Sequence, residues 1–104
     1  MKLTNEKEIS WWAYNQCLKN DTIQMRRLIT SSYWIYYYCR FVRDREEMWK
    51  KITSSYWAYW YCRDVEDREE VWKKITDSFY AYCYCREIKD RLEVRRYIKD
   101  ETNK

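Results

Sequence analysis

The sequence predicts an all-α fold, an α-solenoid of about four two-helix repeats stacked in one right-handed array, and three observations carry that expectation. Asp21, Asp44, Asp67 and Asp90 recur at a period of 23 residues. Each is followed three residues later by Gln24, Glu47, Glu70 or Glu93. That is the spacing of a capping box, in which the Asp carboxylate accepts from an early helical N–H and the Glu or Gln reaches back to the Asp amide. Finally, the steady positions Ile35/Ala58/Ala81, Cys39/Cys62/Cys85 and Val42/Val65/Ile88 fall at steps of four and three, the spacing of one helix face. The aromatic runs YWIYYYC and YWAYWYC have strand propensity, but a strand would hold its pattern at steps of two.

The same period excludes one continuous rod. At about 100° per residue, 23 residues advance six turns plus roughly 140°, so equivalent positions would wander around the helix instead of forming a seam. Each unit must therefore break twice. One break precedes the Asp; the other falls around Thr30–Ser32, Thr53–Ser55 and Thr76–Ser78, where Ser, Thr and Asp supply the next N-cap.

The whole chain, 1–104, is expected to be a single repeat domain. Its first unit, about 6–28, is degenerate: Ser10 to Cys17, SWWAYNQC, matches Ser55 to Cys62, SYWAYWYC, and one residue is lost before Asp21. Units 29–51, 52–74 and 75–97 follow in register. In the best-preserved copy, helix A is expected from about Ser55 to Val65 and helix B from about Arg68 to Ile75. Residues 98–104 form a polar tail. The slot after the fixed Met or Val reads Arg26, Trp49, Trp72, Arg95. Trp in the inner units is expected to be core, and Arg in the outer ones to be the polar cap that ends a stack, which would make the chain complete.

Composition supports a dense core built without flexible joints. Aromatic residues make up 20% of the chain, and there is no Gly and no Pro, so turns must rely on Asp, Ser, Thr and Asn. The charged N-terminal segment lacks the apolar run of a secretory leader, and no stretch is long and apolar enough to span a bilayer; a cytoplasmic location is expected. Cysteine usage agrees. Cys17, Cys39, Cys62 and Cys85 share one slot, a layer apart and beyond disulfide reach. Cys83 and Cys85 point to different sides of a helix. With no His and no CxxC pair, neither a metal site nor any cofactor is expected. The thiols read as small buried hydrophobes, with Cys83 the candidate for redox sensing.

The ITSSYWAYWYC and DREEVWKKI segments resemble bacterial and viral tandem α-helical-hairpin repeats of about this period, whose members lack an assigned activity. The likeness covers most of the chain and implies an α-solenoid. Tetratricopeptide, ankyrin and armadillo repeats differ in length and carry Gly and Pro, so no binding residue transfers from them.

An enzyme is not expected, since there is no His base, no nucleophile elbow and no phosphate loop. The net charge of +4 is spread over the units rather than gathered in a basic block. Attention therefore falls on helix A. If Ala58, Tyr61, Cys62 and Val65 face the core, Tyr56, Trp60 and Arg63 lie opposite. The equivalents are Tyr33, Tyr37 and Arg40 one unit earlier, and Phe79, Cys83 and Arg86 one unit later. Exposed rings interleaved with Arg have the composition of interface hot spots and of base-stacking platforms. Tyr14, Tyr36, Tyr59 and Tyr82 would border this face and widen it.

The first expectation is a binding scaffold for a protein partner or a second copy of the chain, with Tyr33, Tyr37, Arg40, Tyr56, Trp60, Arg63, Phe79 and Arg86 as contact residues. Single-stranded nucleic-acid binding by stacking, with Arg40, Arg63 and Arg86 on the backbone, is the second. A structural or engineered repeat without a ligand is the third, and there the rings, Trp34 and Trp57 included, simply fill gaps between units. No membrane partner is expected.

Overall fold

The computed structural model describes residues 4–99. Among them every regular element is helical: α1 (Glu6–Lys19), α2 (Ile23–Leu28), α3 (Ser32–Phe41), α4 (Glu46–Trp49), α5 (Ser55–Asp64), α6 (Glu69–Trp72), α7 (Ser78–Glu87) and α8 (Leu92–Arg95). Successive long helices α3, α5 and α7 begin 23 residues apart, as do α4, α6 and α8. The chain divides into two compact units, Met1–Ile52 and Thr53–Lys104, each holding two long–short helix pairs. Ser54 and Asp77 cap α5 and α7 as expected, accepting from the Trp57 and Tyr80 amides.

The turns use no left-handed residue, since no described residue has positive φ. Instead the long helices unwind over one carbonyl. Tyr38 C=O accepts from both Val42 N–H (2.8 Å) and Arg43 N–H (3.1 Å), and Tyr61 and Tyr84 do the same for Val65 with Glu66 and for Ile88 with Lys89. A turn widened in this way reverses the chain without Gly. The residues expected as core at these ends, Val42, Val65 and Ile88, are the C-caps and are only half-buried.

The short helices are far below the length that is stable alone in water; burial holds them. Met48 and Trp49 of α4, Val71 and Trp72 of α6, and Val94 of α8 are buried, so both Trp side chains are core as expected. Exposed i, i+4 pairs, Glu46–Lys50 and Glu69–Lys73, line the outer side and add little.

The capping boxes are not formed. The N-caps of α4, α6 and α8 are Arg45, Arg68 and Arg91, none with a side-chain cap bond, and α2 is capped by Thr22. Each Asp thus lies one residue too early to cap. In the first unit Asp21 Oδ2 accepts instead from Tyr38 Oη (2.7 Å) and Arg45 Nη2 (3.1 Å), both from the following hairpin. Asp67 does the same in the second unit, accepting from Tyr84 Oη (2.6 Å) and Arg91 Nη2 (2.9 Å). Each Tyr hydroxyl also accepts from its Arg Nε, at 2.8 Å for Arg45 and 2.6 Å for Arg91. A buried hydroxyl and a partly buried ion pair satisfy one another here, which local capping would leave undone.

Arg26, expected as a solvent-facing cap, is only 8% exposed. Its Nη1 pairs with Asp21 Oδ1 at 3.0 Å and its Nε with Glu47 Oε1 of the next hairpin at 2.8 Å. A second recurrent tie is Ser10, whose Oγ accepts from the Thr30 and Ser31 amides at 3.0 Å. Ser55 Oγ likewise takes the Thr76 and Asp77 amides at 3.0 and 3.1 Å. Within each unit, then, a Ser and an Asp of one hairpin hold the start, the Tyr and the Arg of the next.

Candidate interaction faces

Inward positions of the long helices follow the period of four and three. Ile35, Tyr38 and Cys39 of α3, Ala58, Tyr61 and Cys62 of α5, and Ala81 and Tyr84 of α7 are buried. Every cysteine is a free thiol. Burial raises the Cys17 thiol to about 11 and the Cys62 thiol to about 12; at neutral pH both are protonated packing groups. Cys83 and Cys85 are half-buried, and burial pushes the Cys83 thiol up as well.

The opposite sides of the long helices carry the predicted contact residues. In the first unit Tyr33 and Arg40 are exposed and Tyr37 is half-buried. Tyr33 and Tyr37 lie 4.7 Å apart by ring centroid, and Tyr37 stacks on Phe41 at 5.5 Å and 19°. The Arg40 guanidinium lies 4.9 Å from the Phe41 ring. Phe41, itself exposed, therefore belongs to this face although nothing in its repeat slot, which reads Phe41, Asp64, Glu87, marks it.

In the second unit Tyr56, Arg63, Phe79 and Arg86 are exposed and Trp60 is half-buried. Phe79 is the most open ring, at 63%. Arg63 sits 5.1 Å over the Trp60 ring, and Arg86 5.5 Å over Tyr82. Such cation–π stacking holds long Arg side chains flat and extended. Trp60 Nε1 is buried with no hydrogen-bond partner, a desolvation cost the indole ring carries without return.

The border tyrosines separate differently from what was expected. Tyr14, Tyr36 and Tyr59 are buried and do not widen any accessible face; Tyr14 and Tyr59 lie beneath the next hairpin of their own unit. Tyr14 meets Trp34 at 5.1 Å, and Tyr59 meets Tyr80 at 6.1 Å. Gap filling between hairpins is thus the role of Trp34. Tyr82 alone of the four remains open.

No other chemistry gathers among the described residues. No group of three His, Cys, Asp or Glu side chains is placed to hold a metal ion, and no helix is long and apolar enough to cross a membrane. A groove of about 240 Å³ lined by Trp72, Lys73, Glu93, Arg96 and Tyr97 falls below the roughly 300 Å³ of ordinary small-molecule sites. No protein-family model, curated protein or solved structure matches the chain.

Proposed function

We propose that the chain is a non-catalytic α-solenoid scaffold that holds a protein partner, or a second copy of itself, on the outer faces of its long helices. The observation that carries this reading is the exposure of one slot. Tyr33, Tyr56 and Phe79 occupy the same repeat position and are all open to solvent, although the inward rings of the same helices are buried. Large rings left open at a repeated position, with Arg laid flat beside them, offer apolar area at low ordering cost. The solenoid reading is supported by the recurrence of the same Ser and Asp ties in both units. A cytoplasmic setting fits five free thiols, three of them fully packed.

Substituting Tyr56, Trp60 and Arg63 together by Ala tests the assignment. Capture of a partner from a native lysate, or concentration-dependent self-association by sedimentation, is expected to fall at least tenfold while the helical circular dichroism is unchanged. Undiminished capture removes the proposal. Tryptophan quenching by an oligonucleotide, weakening with added salt, would transfer the face to single-stranded nucleic acid.

A further inference from the structure

We infer that the open end of the second unit, formed by α7 and α8, is a docking face for a helical hairpin carrying the repeat's own Tyr, Arg and Glu spacing. The inference rests on the covered face of the first unit and stands independently of the outer-face proposal. On that covered face Asp21, Arg26, Ser10 and Tyr14 receive the next hairpin. Asp21 takes Tyr38 and Arg45, Arg26 takes Glu47, Ser10 takes two amides, and Tyr14 takes the Trp34 ring.

The open end repeats this set residue by residue as Asp90, Arg95, Ser78 and Tyr82. Arg95 differs from the Trp72 of the preceding hairpin but equals Arg26, the one that lies buried beneath a neighbour. Tyr82 is 47% exposed, against 8% for Tyr14 and 4% for Tyr59 in the covered slots. The polar pair is closed on itself. Arg95 Nε and Nη2 take both Asp90 oxygens at 2.9 and 2.8 Å, whereas Arg26 spends only Nη1 on Asp21 and leaves Oδ2 to the neighbour's donors. Opening the Arg95–Asp90 fork frees one carboxylate oxygen for a Tyr hydroxyl and an Arg, and frees Nε for a Glu.

The chain also makes the approach. Lys99 N–H donates to Ser78 Oγ at 2.8 Å, as Thr30 and Thr76 donate to Ser10 and Ser55 in the covered faces. The backbone at Lys99 thus stands where Thr30 and Thr76 stand at the start of the next hairpin in the covered faces. A second copy docking head to tail does not complete the face. Its first hairpin carries Gln16 and Thr22 where Tyr38 and Arg45 stand, so it brings neither donor to Asp90. The occupant is a hairpin with Tyr, then Arg seven residues later and Glu two after that.

The test uses a fluorescently labelled peptide of residues 31–51, which carries Trp34, Tyr38, Arg45 and Glu47, titrated with the full chain and followed by anisotropy. Saturable binding is expected, weakened at least tenfold by Asp90→Asn in the chain and by Arg45→Gln in the peptide. Asp90 bonds to exposed Arg95, and circular dichroism checks that the variant keeps its fold. Absence of saturable binding to about 1 mM, a peptide affinity of no more than roughly −4 kcal/mol, overturns the inference, as does binding indifferent to Asp90→Asn. Dimerisation of the chain abolished by Asp90→Asn would give the face to a second copy instead. Binding gained only when residues 100–104 are removed would give it to the chain's own tail. Either result overturns the assignment.

Discussion

Replacing Asp21 with Ala withdraws one acceptor from three donors at once, and its cost separates the tie between hairpins from a helix cap. A lost N-cap costs about 1 kcal/mol, with a range of roughly 0.5–2. The tie is worth more. Tyr38 is fully buried, and the Asp21 and Arg26 side chains are 19% and 10% exposed. Removing Asp21 leaves the Tyr38 hydroxyl with Arg45 alone and Arg26 with Glu47 alone, so buried Arg26 and partly buried Arg45 lose their shared anion. Breaking a buried pair from one side costs about 3–5 kcal/mol. Partial solvation of Arg45, 29% exposed, lowers the expectation to about 2–4 kcal/mol. Tyr38→Phe should cost about 1–1.5 kcal/mol, and because both changes cut the same bond the double variant should fall short of additivity by about 1 kcal/mol or more. Urea unfolding of the four proteins, followed by tryptophan fluorescence at constant m, supplies the numbers. A loss near 1 kcal/mol with strict additivity would refute the tie and restore the cap.

Four further outcomes follow from the same contacts. Burial alone would raise the Asp21 carboxyl, but the Tyr38 hydroxyl and the Arg26 and Arg45 guanidiniums outweigh it and hold it below the ordinary carboxylate value. A lowered folded value means its stabilisation is complete above the unfolded pKa of about 3.9 and is lost as pH falls through the folded one; Asp21→Asn should flatten that acid limb of a stability–pH curve, and an unchanged limb counts against the pairing. Ser10→Ala strands the Thr30 and Ser31 amides and should cost about 1–3 kcal/mol, visible as faster hydrogen exchange at those two residues; unaltered exchange would contradict the bonds. Trp72→Ala, emptying a buried slot, should cost about 3–5 kcal/mol in the same urea assay, and a cost under 1 kcal/mol would deny Trp72 its place in the core. Trp60→Phe, which deletes an N–H with no partner, should cost less than about 0.5 kcal/mol or stabilise; a loss above 2 kcal/mol would mean that Nε1 is bonded after all.

The period, the helix starts and the inward positions of the long helices were open to inspection in the sequence because they depend on residues close together in the chain. Ser54 and Asp77 cap as their residue types demand, and Ala58, Tyr61 and Cys62 are inward as the steps of four and three require. The role of Asp21 and Asp67 was not, because the D-x-x-E spacing of a capping box is identical whether the Asp sits at the cap or one residue before it. What decides is a Tyr hydroxyl 17 residues away and an Arg 24 away, contacts that exist only once the hairpins pack. A signal was nonetheless present. Tyr38, Tyr61 and Tyr84, with Arg45, Arg68 and Arg91, occur only in hairpins preceded by an Asp, and the first hairpin has Gln16 and Thr22 in their places. Covariation along the repeat, rather than local spacing, pointed to the tie.

Arg26 misleads for a related reason. Charge at a terminal repeat suggests solvent, but a guanidinium can be buried when two carboxylates meet it, and Asp21 and Glu47 do. The aromatic slots show the converse. Tyr36 and Tyr37 are neighbours of one residue type, yet the first is buried and the second half-open, because a step of 100° on the helix sends adjacent rings to different sides. Residue type alone carries no such information.

Photo-crosslinking from one ring reports on the outer faces most directly. With Phe79, the most open ring, replaced by benzoylphenylalanine and the protein illuminated in a native lysate, the account predicts a covalent adduct to a protein that is lost when Tyr56 and Trp60 of the same chain are changed to Ala. No adduct, an adduct to nucleic acid, or a protein adduct that survives those two substitutions would contradict it.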